Sequence, residues 1–104
     1  MTDDTASPGQ PGTMVVLMTV DPARTEEVDR HFHQDVRPWA QRQPGFVSAQ
    51  WLRLAHGSRA MGLVTFESEE HAQAAAKGPR SQPNVDGRAW NTDTVEVFAV
   101  VTSA

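Results

Sequence analysis

The sequence contains no cysteine, which excludes disulfides, thiolate metal sites and cysteine nucleophiles together. No apolar run approaches the roughly 20 residues needed to span a bilayer. The acidic start also lacks the apolar stretch of a secretory signal, so a cytoplasmic protein with no membrane partner is expected. Positive charge is sparse: 9 Lys and Arg against 13 Asp and Glu give a formal net charge of −4 over 104 residues. The basic residues are scattered, and without a basic stripe to neutralise phosphates nucleic acid is not an expected partner. Metal-ligand spacings are missing too. There is no His-x-x-x-His, no Glu-x-x-His and no carboxylate cluster, so no metal site is expected. No Gly-rich phosphate loop and no Ser-His-Asp arrangement can be argued.

What the chain does have is two strands that are apolar on both faces. Met14-Val15-Val16-Leu17-Met18 and Val97-Phe98-Ala99-Val100-Val101 are continuous hydrophobic runs rather than alternating ones, and such strands are buried above and below. Residues 1–12, with Pro8, Gly9, Pro11 and Gly12 and almost nothing apolar, bury too little to offset their ordering entropy and read as a disordered tail. Residues 13–104 read as one domain.

Thr13 to Val20 is the first expected strand. Asp21-Pro22 then reads as a helix start, with Asp as N-cap and Pro at the first helical position, and Glu26 and Glu27 suit the positive end of the dipole. The expected helix runs from Pro22 to Gln43, where Val28, Phe32, Val36 and Trp39 share an arc of about 80° on the helical wheel. Pro38 should kink its last turn, and Pro44-Gly45 ends it. Strands are expected over Phe46–Ala55 and Arg59–Phe66, joined by a tight turn at His56-Gly57 that would set Trp51 across from Gly62. A second helix, alanine-rich on its buried side, is expected over Ser68–Lys77, capped by Ser68 and stopped by Gly78-Pro79. A long connection from Pro79 to Asn91 leads to a last strand over Thr92–Thr102.

The order β-α-β-β-α-β is the ferredoxin-like arrangement, an α+β fold with an antiparallel four-stranded sheet and both helices on one face. Two helices cover one side only. The apolar second side therefore implies a homodimer, with two sheets packed face to face about a two-fold axis.

Two stretches carry a family likeness: Pro44-Gly45-Phe46 after the long first helix, and the strand-to-helix junction Val64-Thr65-Phe66-Glu67-Ser68-Glu69-Glu70-His71-Ala72. With these the chain resembles the antibiotic biosynthesis monooxygenase family of the dimeric α+β barrel superfamily, over about Thr13 to Val101. The resemblance implies the barrel-forming dimer. For function it implies a small cofactor-independent monooxygenase-like enzyme of secondary metabolism, acting on an aromatic, polyketide-type molecule. The chain also departs from the pattern. Cofactor-free oxygenases and haem-degrading members resemble one another in having an Asn and a Trp. The Trp closes the third strand, where this chain has Phe66. The oxygenases have the Asn four residues before it, where this chain has Gly62, and the first strand here lacks the Asn that many of those enzymes place there. Phe66 can wall a pocket but has no N–H to donate. A non-oxidative cyclase or isomerase, or a non-catalytic ligand-binding accessory dimer, remain alternatives.

Among the ionisable groups, Asp35 lies about 20° from Val28 and about 40° from Trp39 on the wheel, inside the apolar arc. A carboxylate there would be desolvated and could act as a base. His31, one turn earlier, could hydrogen-bond it, and Arg42 on the same stripe offers a plain ion pair instead. Asp35 with His31 is the candidate catalytic pair. Phe32, Trp39, Trp51, Phe66 and Trp90 are candidate walls for an aromatic ligand, and Arg53 could hold an anionic oxygen or form a salt bridge. His33, His56 and His71 read as surface residues.

Overall fold

The computed structural model describes residues 10–104; most of the expected tail lies outside the described residues. β1 (Gly12–Val20) is followed by α1 (Thr25–His31), a π-helical turn (Phe32–Val36), α2 (Arg37–Gln41), β2 (Phe46–Arg53), β3 (Arg59–Phe66), α3 (Glu69–Ser81) and β4 (Trp90–Ala99). The four strands form one antiparallel sheet in the order β2-β3-β1-β4. This is the α+β ferredoxin-like arrangement expected from the pattern.

The helices cover one face of the sheet. On β1 the residues Met14, Val16, Met18 and Val20 are buried, as are Ala60, Val64 and Phe66 on β3. Against them pack Val28, Phe32 and Ala40 from the first helical segment and Ala72, Ala75 and Ala76 from α3. The alanines bring α3 close to the sheet. Ser68 caps α3 as expected, its Oγ accepting from the His71 N–H at 3.2 Å. The opposite face stays open: Leu17, Leu52 and Phe98 are each 37% exposed or more, beside half-buried Val15, Met61 and Leu63.

Four local expectations are corrected. Asp21 does not cap the first helix. Its Oδ1 accepts from the Ala23 N–H at 2.9 Å and its carbonyl from the Arg24 N–H at 3.0 Å, a local turn that competes with helix, so α1 starts at Thr25. The helix is also not regular ahead of Pro38. The Arg37 N–H bonds the Phe32 carbonyl, five residues back, a widening that clears the proline ring from the carbonyl of the preceding turn. Gly78-Pro79 does not stop α3, which runs on to Ser81. Gly78 instead admits Trp39, whose Cζ2 would lie 3.1 Å from a Cβ there. Finally, β4 starts at Trp90 and ends at Ala99. Its pairing with β1 closes at Gly12↔Ala99 with Val100 donating to the Pro11 carbonyl at 2.9 Å, and Val101 is exposed.

Candidate functional site

Between the first helical segment and the sheet lies a cavity of about 240 Å³. Its floor is the inner face of the sheet, with Met14, Val16 and Met18 of β1 and Val64 of β3. Its walls are Phe32, Trp39, Trp51 and Trp90, and its rim carries His31, Asp35, Gln82 and Arg88. Six of the eight residues singled out from sequence therefore meet in one place: His31, Asp35, Phe32, Trp39, Trp51 and Trp90. The other two stand apart. Phe66 is sealed in the core at 0% exposure and does not reach the cavity. Arg53 shares the helix-covered face with Trp51 by register but lies outside the cavity lining, where its Nε and Nη2 donate to Asp29 of α1 at 2.8 and 2.9 Å. Those bonds hold the Asp29 carboxyl below its ordinary value, against a smaller opposing effect of burial. Arg53 and Asp29 flank an open groove with His33 and Arg37.

His31 and Asp35 are joined, His31 Nδ1 to Asp35 Oδ2 at 2.9 Å. Asp35 is not desolvated as the wheel predicts: its side chain is 68% exposed, against 20% for His31. The π-helical turn explains the difference. Residues within it advance by less than the roughly 100° of a regular helix, so Asp35 lags behind the buried stripe and stands at the cavity mouth. The imidazole is the group held inside. Its ring stacks on Trp90, centroids 3.8 Å apart at 13°. With Nδ1 committed to Asp35, Nε2 is the nitrogen free to meet a ligand, and the carboxylate fixes the tautomer.

Trp90 is the first residue of β4, paired with Val20, rather than the end of a loop. Arg88 sits over its ring at 5.4 Å from the centroid and donates to the Trp90 carbonyl at 2.8 Å and to Asn91 Oδ1 at 3.2 Å. Trp51 lies opposite Gly62 as the hairpin register predicts.

The sequence pattern missed Arg88, Gln82 and the sulfur-bearing floor of Met14 and Met18; only the early start of β4 would have signalled Arg88. His71, expected at the surface, is half-buried. Its Nδ1 bonds Ser68 Oγ at 2.8 Å, and its ring fills the space beside Gly45, where a Cβ would come within 2.5 Å of it. Among the described residues, no three His, Asp or Glu side chains come together as metal ligands would, and no helix is long and apolar enough to cross a membrane.

Several solved structures share this architecture. A haem degrader, MhuD from Mycobacterium tuberculosis, is 21% identical with a TM-score of 0.66 over 89% of this chain and 98% of its own. SnoaB, a cofactor-independent oxygenase from Streptomyces nogalater, is 20% identical with a TM-score of 0.63, over 91% and 97%. A monooxygenase from the gene ActVA-Orf6 of Streptomyces coelicolor, solved with nanaomycin D, is 19% identical with a TM-score of 0.62, over 98% and 97%. No curated protein matches the sequence. The model of the antibiotic biosynthesis monooxygenase family matches residues 11–83, most of the folded chain. By that match, and in keeping with the strand-to-helix junction after Val64, this chain belongs to the antibiotic biosynthesis monooxygenase family.

Proposed function

We propose that this protein is a cofactor-independent monooxygenase that oxidises a compact aromatic, polyketide-type molecule held in the cavity, with His31 as general base and Asp35 as the group that orients it. One observation carries the reading: a half-buried imidazole, fixed through Nδ1 by a carboxylate at 2.9 Å, opens onto a cavity walled by Phe32, Trp39, Trp51 and Trp90. Aromatic walls bind a flat ring system, and the volume, below the usual ~300–1,000 Å³ of small-molecule sites, suits a ligand of few rings.

The chemistry needs little more. An anthrone-type carbon acid loses a proton to His31 Nε2, and the resulting anion is electron-rich enough to reduce dioxygen itself. Carbon–oxygen bond formation gives a hydroperoxide. Loss of water then leaves a carbonyl where the CH₂ stood, so anthrone and O₂ become anthraquinone and H₂O. The protein supplies a base, a dry cavity and a fixed orientation. SnoaB, a structural neighbour, is described as a cofactor-independent oxygenase, which supports the reading without deciding the substrate.

Haem degradation, the activity of another neighbour, fits this cavity poorly. His71 is turned away from it onto Ser68, and its volume is small for a tetrapyrrole. A cyclase or isomerase would use the same His31–Asp35 pair without oxygen. Oxygen uptake separates the two: with anthrone or 1-naphthol and no added cofactor, O₂ consumption matched to product supports the oxygenase. Equal product formation under argon overturns it in favour of the cyclase.

The open sheet face argues for a homodimer. Val15, Leu17, Leu52, Met61, Leu63 and Phe98 share that face by strand register, and a second copy of the same sheet is their natural cover. The small aromatic ligand and the twin subunit are the partners this reading assigns, in the cytoplasm.

A further inference from the structure

Resting on the oxygenase reading, we propose that Trp51 is a catalytic hydrogen-bond donor: its indole N–H, laid over Gly62, binds the substrate oxygen that becomes anionic when the ring system is deprotonated. The placement is specific. An ideal Cβ at Gly62 would lie 2.9 Å from both Cδ1 and Nε1 of Trp51, so the N–H edge of the indole occupies the space a side chain at 62 would fill. Gly62 pairs with Trp51 on one side and with Val16 on the other. The ring therefore reaches from the edge strand across β3 toward the middle of the cavity floor, beside Val16 and Val64. Any larger residue at 62 would push it away.

The donor is also unspent. Two residues along the strand, Arg53 is committed to Asp29, whereas no hydrogen bond among the described residues uses the Trp51 N–H. A half-buried donor without a protein partner, on a residue that lines a largely apolar cavity, gains free energy when an acceptor arrives. Trp is a donor only, so it favours an oxygen, and favours it more as negative charge develops there. Trp90 differs not in its N–H, which is equally unpaired among the described residues, but in its ring, which His31 and Arg88 already hold. Trp39 differs again, with its benzo edge packed against Gly78. With His31 taking the proton and Trp51 meeting the oxygen, the cavity holds both halves of an enolisation. Gly62 is the positioning residue that makes this possible.

The test compares Trp51→Phe, Trp51→His and Gly62→Ala with the unaltered protein, using anthrone turnover and the phenol ionisation of bound 1,8-dihydroxyanthraquinone, followed by visible absorption. Trp51→Phe keeps the aromatic wall and loses the donor. It should lower kcat about 10²-fold with KM little changed, and the bound phenol should ionise at higher pH than on the unaltered protein. Trp51→His restores an N–H and should recover part of both effects. Gly62→Ala retains all three tryptophans but displaces the indole, and should act in the same direction as Trp51→Phe. Should Trp51→Phe fail to fold, the Gly62→Ala and Trp51→His results decide. Normal kcat and unshifted phenol ionisation in folded Trp51→Phe or Gly62→Ala would overturn the proposal while leaving the oxygenase reading intact. Failure of the unaltered protein to bind the quinone or oxidise anthrone would instead overturn the oxygenase reading.

Discussion

Replacing Asp35 by Asn is expected to slow turnover five- to tenfold, and the size of the effect follows from where the carboxylate stands. Asp35 stands at the cavity mouth, with its Oδ2 2.9 Å from His31 Nδ1 while 68% of its side chain is exposed. A charge pair about 4 Å apart is worth about 1 kcal/mol in a water-like dielectric, and exposure keeps this pair near that limit. In the proposed mechanism His31 becomes an imidazolium as it takes the substrate proton, so losing the carboxylate removes about 1 kcal/mol from the transition state, or five- to tenfold in rate. Folding should notice far less. An exposed pair one helical turn apart contributes about 0.3–0.5 kcal/mol, or about 1–4 °C in the melting temperature of a domain this size. His31→Phe is the contrasting variant. It can retain the stack on Trp90 yet removes the base, and should cost about 10²–10⁴ in kcat. The assay is oxygen-electrode kcat alongside calorimetric melting for both variants. A rate in Asp35→Asn as low as in His31→Phe would mean that the carboxylate itself is the base. An unchanged rate would mean that the carboxylate plays no part in the chemistry.

Gly45→Ala should destabilise by about 1–3 kcal/mol in urea titration, because Gly45 holds φ +80° and a Cβ there would strike His71. The Asp29–Arg53 pair should stabilise the fold at neutral pH but not in acid. Asp29 is held below its ordinary 3.8 in the folded protein, so its contribution is present above that value and is lost as pH falls through the lower folded-state value. The gap in urea midpoint between the native chain and Asp29→Asn should accordingly close below about pH 4, and a gap that persists there would contradict the assignment. Leu17→Glu, placing a charge in the open sheet face, should convert a species of twice the 11.4 kDa protomer mass to a single protomer by light scattering at micromolar concentration. A lone protomer in the unaltered protein would refute the homodimer.

Much of this fold was legible because its signals are local. Alternation and continuous apolar runs locate β1 and β3, Ser68 marks the start of α3, and the short turn at His56-Gly57 sets the register that lays Trp51 on Gly62. The errors arise where a distant contact redirects a local signal. Gly78-Pro79 looks like a stop, yet the missing Cβ is used to admit Trp39. Asp21 looks like a cap, yet it closes a turn on its own neighbours. The misplacement of Asp35 has a single cause, since a helical wheel assumes constant rotation and the π-helical turn ahead of Pro38 breaks it. The pairing of His31 with Asp35 survives that error because a spacing of four brings side chains together on either kind of turn. Arg88 was illegible because its contacts with Trp90 depend on β4 beginning two residues earlier than its β-branched run suggests.

The most direct test is to run anthrone oxidation under ¹⁸O₂ with protein freed of metal and flavin, and to weigh the product. The account requires one ¹⁸O atom in the new carbonyl, measured before exchange, with the other released as water. A product carrying no label from the gas would contradict it.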